Sequence, residues 1–147
     1  MRRRAVIAVA LAAFLAVSLV LASFLTAAGA ERGPVFQLLR AQARGDVRGM
    51  LAQLDGCAAD AACRAEVTAN ARRLRRPGAV KILSLQSPTA YHLGTTTGRT
   101  RAAWAVVDRN GPAVVQCITV SRRWGVLSGT SVTLRRLSAP IPPESGC

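Results

Sequence analysis

The stretch RTRAAWAVVDRNGPAVVQCITVSRR, residues 99–123, decides the fold of this chain. Apolar and polar side chains alternate along residues 99–107 and again along residues 113–123. A period of two predicts β-strands that each bury one face. The segment DRNG between them, residues 108–111, is a typical turn sequence and is short enough to force antiparallel pairing. The sequence therefore predicts an antiparallel strand pair with one packed face.

Further segments extend the β pattern on both sides of this pair. Val80–Gln86 and a short piece at residues 89–93 precede it, and residues 130–138 follow it. Short glycine-containing segments, residues 94–98 and 128–129, separate the strands and are typical of tight turns. The sequence therefore predicts an antiparallel sheet of four to five strands.

The residues before the sheet show helical periodicity. Pro34 suits a first helical turn, and the helix that it starts is expected to stop at Gly45. Asp46 is a good N-cap for a second helix that ends at Gly56, and a third helix is expected from Asp60. The apolar residues expected to face inward on this third helix are Cys63, Val67, Ala71 and Leu74. Helices followed by strands predict an α+β domain, with two to three helices packed on a curled antiparallel sheet.

The first part of the chain forms a separate segment. Three arginines follow Met1, and the next 26 residues, 5–30, carry no charge. As a helix, residues 5–25 would rise about 31 Å, which matches the hydrocarbon thickness of a bilayer. Arginines on one side of such a segment hold that side in the cytoplasm. Residues 1–30 are therefore expected to form a transmembrane or signal helix, with the rest of the chain outside the cytoplasm.

Two fates of this segment remain open. Ala28-Gly29-Ala30 has the small-x-small form that signal peptidases cleave, and cleavage would release the domain just before Glu31. The apolar run is longer than a usual signal core of about 7–15 residues, which favours an uncleaved anchor. The expected location is the cell membrane, as a single-pass protein with a cytoplasmic N-terminus. Secretion after cleavage following Ala30 is the alternative.

The remainder has the size of one domain, residues 31–138, with a proline-rich tail at residues 139–147. Beyond residue 30 the chain carries seventeen basic and seven acidic residues. Outside the cytoplasm, the polyanions that such a charge could meet are anionic lipid headgroups and cell-wall polymers. Nucleic acid is not expected as a partner, because the basic residues are not interleaved with stacking aromatic residues.

The four cysteines form an even set behind an export segment, which is typical of a disulfide framework. Four cysteines allow three pairings, of which we favour Cys57 with Cys63 and Cys117 with Cys147. The first pair flanks a helix corner, where the Cα atoms can approach closely. The second would fasten the tail to a strand. A zinc site is disfavoured, because structural zinc sites use close cysteine pairs or added histidines, and this chain has neither.

The segment from Ala43 to Val47 places a Gly-Asp pair after the first helix, and a strand, a D-x-N-G-like turn and two long strands follow later. In this respect the chain resembles the nuclear transport factor 2-like (SnoaL-like or cystatin-like) superfamily over about residues 34–138. The resemblance implies helices inside a curled sheet and a function that ranges from small-cavity catalysis to binding. The chain departs from that pattern where Cys57 to Cys63 replaces a strand pair.

Catalysis would require a general base in an apolar cavity. The single histidine, His92, lies beside Tyr91, and the nearest acid, Asp108, belongs to a turn. No nucleophile elbow, phosphate-binding loop or paired carboxylates are visible. We therefore expect a non-catalytic interaction or ligand-binding module without a cofactor. A small cavity enzyme that uses His92 is the alternative.

The densest charge in the chain is an arginine run at the end of the third helix. Guanidinium groups bind phosphate-bearing lipids or polymers through paired hydrogen bonds. Cations at a helix C-terminus are also stabilised by the helix dipole without any ligand. The candidate polyanion-binding residues are Arg72, Arg73, Arg75 and Arg76.

Overall fold

The computed structural model describes the backbone of residues 2–87, 94–107, 111–125 and 129–147. These residues form four helices and a four-stranded antiparallel sheet, so the chain has an α+β fold. The helices are α1 (Arg2–Ala30), α2 (Arg32–Arg44), α3 (Val47–Gln53) and α4 (Ala61–Arg73). The strands are β1 (Val80–Gln86), β2 (Gly94–Val106), β3 (Val114–Gly125) and β4 (Gly129–Leu137).

The sheet is a meander in the order β1-β2-β3-β4, in which every strand pairs antiparallel with the next. It stays open rather than closing into a barrel, because β1 and β4 lie at opposite edges. The pairing of β2 with β3 confirms the predicted antiparallel strand pair and places Trp104 opposite Val114. Residues 108–110 of the expected turn lie outside the described residues. The expected strand at residues 89–93 lies outside the described residues.

One sequence prediction about the sheet is wrong. Residues 94–98 were expected to form a turn, yet they belong to β2 and pair with β3 from Gly94 to Gly98. Three consecutive threonines, Thr95 to Thr97, explain the difference, because their β-branched side chains favour an extended backbone more strongly than the flanking glycines oppose it.

The predicted N-caps and the stop at Gly45 are observed, whereas α3 ends at Gln53 with Leu54 as its C-cap, before the predicted end at Gly56. The Asp46 carboxylate accepts a hydrogen bond of 2.8 Å from the backbone N–H of Gly49 and so caps α3. Asp60 accepts from the N–H groups of Ala62 and Cys63 and so caps α4. Gly45 ends α2 in the left-handed conformation, at φ 74°, which a side chain would disfavour.

The core lies between α2, α3 and α4 and one face of the sheet. The predicted inward face of α4 is confirmed, since Val67 is fully buried and Cys63, Ala71 and Leu74 are nearly so. Trp104 of β2 is the largest fully buried side chain among the described residues. The predicted helices and the inner face of the hairpin therefore form one packed interior.

A chain of amide hydrogen bonds crosses this core. The Gln116 side-chain oxygen accepts from Trp104 Nε1 at 3.0 Å and from Gln42 Nε2 at 2.9 Å, and all three side chains are fully buried. Gln116 Nε2 donates to the backbone oxygen of Ser138 at 2.9 Å. Gln42 Oε1 has no hydrogen-bond partner in the structure. Gln116 therefore holds the network together, whereas Gln42 contributes one bond and one unsatisfied oxygen.

This asymmetry gives a matched pair of variants with unequal effects. Gln116→Met leaves the Trp104 and Gln42 donors buried without an acceptor, so we expect the free energy of unfolding to fall by about 2–3 kcal/mol. Gln42→Met removes one hydrogen bond together with the unsatisfied oxygen, so we expect a change of less than about 1 kcal/mol. Urea unfolding of the two variants measures both values. Equal losses would contradict the assignment of the central role to Gln116.

The tail folds back over the outer face of the sheet. Ile141 N–H donates to the Val115 carbonyl at 2.8 Å, and Arg101 donates to the carbonyl groups of Pro143 and Ser145. The proline-rich segment is thus irregular, as the sequence predicts, but it is held by backbone contacts as well as by its cysteine.

The first helix, α1, precedes the domain and contacts α2 and β4. Within the parts of the chain that the structure describes, no helix combines the length and the apolar character that crossing a membrane requires. The sequence-based expectation of a spanning helix has no support from this finding.

Candidate functional site

A buried ion pair lies where α1 ends and the domain begins. Glu31 is the residue between α1 and α2, and only 4% of it is exposed. Its carboxylate accepts from Arg122 Nε on β3, from Ser87 Oγ at 2.7 Å and from Thr100 Oγ1 at 3.2 Å. Arg122 also donates to Thr100 Oγ1 at 3.1 Å. The first charged residue after the apolar segment is therefore fastened to two strands.

This ion pair sets the relation between the first helix and the sheet. A carboxylate removed from water needs a compensating charge and hydrogen-bond donors, and Arg122 with the two hydroxyl groups supplies both. No partner for Glu31 is predicted from the sequence. The sequence does contain a signal for this contact. Arg122 continues the inward alternation of Ile118 and Val120 on β3, and a buried guanidinium needs an anionic partner.

A surface groove lies beside this juncture. It has a volume of about 490 Å³ and is lined by Arg32, Gly33, Phe36, Val80, Lys81 and Ile82. The first three residues belong to the start of α2, and the last three to the edge strand β1. We call these six residues the juncture groove. Its size is within the usual range of small-molecule pockets.

The juncture groove combines an apolar floor with positive charge. Val80 and Ile82 are buried and Phe36 is half-buried, whereas Arg32 and Lys81 are exposed. None of the six lining residues is acidic. Glu31 is next to Arg32 in the chain, but its carboxylate is turned inward to Arg122. The groove therefore suits a ligand with an anionic group attached to an apolar part.

The edge strand that forms one wall of the groove is irregular. The register of β1 against β2 shifts between Ile82 and Ser84, so Leu83 lies in a bulge and is 51% exposed. Bulges at sheet edges hinder the addition of a further strand from another chain. This edge therefore favours side-chain recognition in the groove over strand pairing.

The four arginines of the predicted run have two kinds of environment in the structure. Arg76 donates from Nη1 to the Pro112 carbonyl at 3.1 Å, and the Arg75 stem lies against Gly45, so both residues have structural contacts. Arg72 and Arg73 are exposed in the last turn of α4, where the helix dipole stabilises them. The role of this run in polyanion binding stays a prediction.

Both predicted disulfides are present. Cys57 pairs with Cys63 at a Cα separation of 5.3 Å, and Cys117 pairs with Cys147 at 5.7 Å. The first closes the corner between α3 and α4, and the second fastens the tail to β3. Two disulfides are typical of proteins that fold in an oxidising compartment.

Asp60 at the start of α4 carries the one resolved change in acidity among the described groups. The backbone N–H of Cys63 holds the pKa of this carboxyl below its ordinary value, and Arg136 and the N–H of Ala62 act in the same direction. Desolvation, the second-largest contribution, raises the pKa and so acts against them. The ionised carboxylate of Asp60 is therefore the form that caps α4.

The lowered pKa of Asp60 predicts an acid-dependent loss of stability. A carboxyl with a lower pKa in the folded state stabilises the fold fully above its unfolded value of about 3.9 and loses this effect as the pH falls through the folded pKa. Asp60→Asn keeps a side-chain acceptor but does not titrate. Thermal unfolding between pH 2 and 6 should therefore depend less steeply on pH in this variant than in the wild type. Identical acid slopes would contradict the assigned role.

The remaining candidate residues give no catalytic arrangement to describe. His92 and Asp108, on which the enzyme alternative depends, lie outside the described residues. No group of three or more metal-ligating side chains occurs in the described part of the chain. The predictions of no cofactor and no catalysis therefore remain predictions.

Comparison with known proteins adds no assignment. No family model, no curated protein and no solved structure matches the chain. The resemblance to the nuclear transport factor 2-like superfamily thus remains a prediction.

Proposed function

We propose that this protein is held at the membrane by its N-terminal helix and works outside the cytoplasm as a non-catalytic interaction or ligand-binding module. The observation that carries the proposal is the apolar surface of α1. Its described large hydrophobic side chains are 57–71% exposed. They are Ile7, Val9, Leu11, Phe14, Leu15, Val17, Leu19 and Leu21.

Apolar side chains on such a surface are more stable in an apolar environment than in water. Soluble proteins rarely expose contiguous apolar patches larger than a few hundred Å², and larger ones mark membrane or protein contacts. Residues 5–30 contain no charged side chain that water could hydrate. Lipid is the occupant that fits an apolar surface on all sides of a helix, whereas a protein partner would cover one face.

The charges and the cysteines of the chain support one orientation across the membrane. Arg2, Arg3 and Arg4 favour a cytoplasmic N-terminus, because positive charge near an apolar segment stays on the cytoplasmic side. Two disulfides support an oxidising environment for the domain that follows. These two arguments are independent of each other and favour the same orientation.

Binding is supported over catalysis by the kind of site available. The juncture groove is open, and its two cations and apolar floor can recognise a ligand. The interior beneath the sheet is occupied by Trp104, Gln116 and aliphatic side chains. An enzyme based on His92 stays the alternative, and replacing His92 tests it only once a substrate is known.

The tether is tested by membrane fractionation of the full chain. We expect the protein to stay in the membrane pellet after an alkaline carbonate wash, which removes proteins bound only by charge. Recovery in the wash would mean peripheral attachment. Recovery in the medium without residues 1–30 would mean that the segment is a cleaved signal, and either result would overturn the tether.

A further inference from the structure

We propose that the juncture groove binds the headgroup of an anionic phospholipid in the membrane that holds α1. The inference rests on the proposed function and adds a ligand class and a site to it. The charge, the apolar floor and the position of the groove support it independently.

The charge of the groove selects an anion. Arg32 of α2 and Lys81 of β1 both line the groove, and none of its lining residues is acidic. An arginine guanidinium binds two phosphate oxygens in parallel, and a lysine ammonium adds a compact charge. A phosphate held between them would neutralise two cations that the fold leaves exposed. The pair Glu31 and Arg122 is self-compensated and does not compete for this role.

The floor of the groove selects an amphiphile over a free anion. Phe36, Val80 and Ile82 provide an apolar surface next to the cations. A soluble phosphate would leave this surface in water, whereas the glycerol backbone and the first methylene groups of a lipid would cover it.

The groove lies next to the end of the helix that is proposed to lie in the membrane. Arg32 is two residues after Ala30, the last residue of α1. At a rise of about 1.5 Å per residue, the groove starts within about 3 Å of the end of that helix along its axis. If α1 is surrounded by lipid, the groove lies at the level of the headgroups. Basic residues at this level attract anionic lipids.

The ion pair of Glu31 with Arg122 prepares this arrangement. It fixes Glu31, the neighbour of Arg32, to β3 and to β2, and β2 pairs with the strand that carries Lys81. A flexible juncture would separate the two cations. The groove is therefore preorganised, which lowers the entropic cost of binding.

Native mass spectrometry of the full chain in detergent micelles tests the proposal. We expect one bound phosphatidylglycerol per chain, and about tenfold less phosphatidylcholine at equal concentration, a difference that corresponds to about 1.4 kcal/mol. The double variant Arg32→Gln/Lys81→Gln should lose the phosphatidylglycerol adduct by about tenfold. The double variant Arg40→Gln/Arg48→Gln removes the same charge at exposed positions outside the groove lining and should keep it.

Several results would overturn the site. Equal losses in the two double variants would indicate attraction to net charge alone, and equal binding of the two lipids would remove the role of the cations. Displacement of the lipid by equimolar glycerol phosphate would show that a soluble anion is the better occupant. The thermal midpoints of both variants should match the wild type, and a drop in either would be followed by single variants at the same positions.

The outcome is separable from that of the membrane tether. Retention of the wild type in carbonate-washed membranes, together with no selective lipid adduct, would refute the groove and keep the tether. Recovery of the wild type in the medium without residues 1–30 would refute the tether, whatever the groove binds in micelles.

Discussion

Replacing Arg122 with methionine is expected to lower the free energy of unfolding by about 3–5 kcal/mol, because the substitution leaves the Glu31 carboxylate buried without a countercharge. Glu31 is 4% exposed and has no other cation among its hydrogen-bond partners in the described residues. The two hydroxyl groups of Ser87 and Thr100 would remain, but they do not neutralise a charge. Urea unfolding of the full chain in micelles, followed by tryptophan fluorescence, measures the loss.

The double variant Glu31→Leu/Arg122→Met is the matched control for this effect. Removing both charges removes the desolvation cost together with the attraction, so we expect stability within about 1 kcal/mol of the wild type. A double variant as unstable as Arg122→Met would show that the loss comes from packing of the arginine stem. A single variant as stable as the wild type would contradict the burial of the ion pair.

Removing the disulfide between Cys117 and Cys147 is expected to lower the free energy of unfolding by about 3–4 kcal/mol. The bridge closes a loop of 30 residues, and the chain-entropy model assigns about this stabilisation to such a loop. The variant Cys117→Ala/Cys147→Ala should also lose hydrogen-exchange protection at Ile141, whose N–H donates to the Val115 carbonyl. Exchange and urea unfolding measure the local and the global effects.

The second disulfide provides the control. Cys57 precedes α4 and Cys63 lies in its first turn, and their bridge closes a loop of only 6 residues. The variant Cys57→Ala/Cys63→Ala should leave the exchange protection of Ile141 unchanged. Unchanged protection after removal of the bridge between Cys117 and Cys147 would show that the tail contacts hold the segment without it.

Much of the fold could be predicted because local signals agreed with one another. The alternation in residues 99–123, the N-caps Asp46 and Asp60, and the stop at Gly45 each favoured the structure that is observed. The disulfide pairing could be predicted because only nearby cysteines can close a corner and because the tail had no other visible attachment. Where two local signals conflicted, at the glycine-flanked threonines of β2, the prediction failed.

The candidate site could not be predicted in the same way. The juncture groove joins residues 32–36 to residues 80–82, and nothing in either segment marks the other as its neighbour. The arginine run was conspicuous in the sequence, yet Arg75 and Arg76 make structural contacts. A run of charged residues in the sequence indicates that the segment is exposed to water. A binding site depends instead on which distant segments the fold brings together.

The most direct test of the central proposal is the intact mass of the full chain isolated from expressing cells after its free thiols have been trapped with N-ethylmaleimide. We expect the membrane-bound protein to retain residues 1–30 and to carry no adduct, and to gain four adducts after reduction because all four cysteines are paired. Adducts before reduction would place the domain in a reducing compartment, and a mass that starts at Glu31 would remove the tether. Either result would contradict a membrane-held domain outside the cytoplasm.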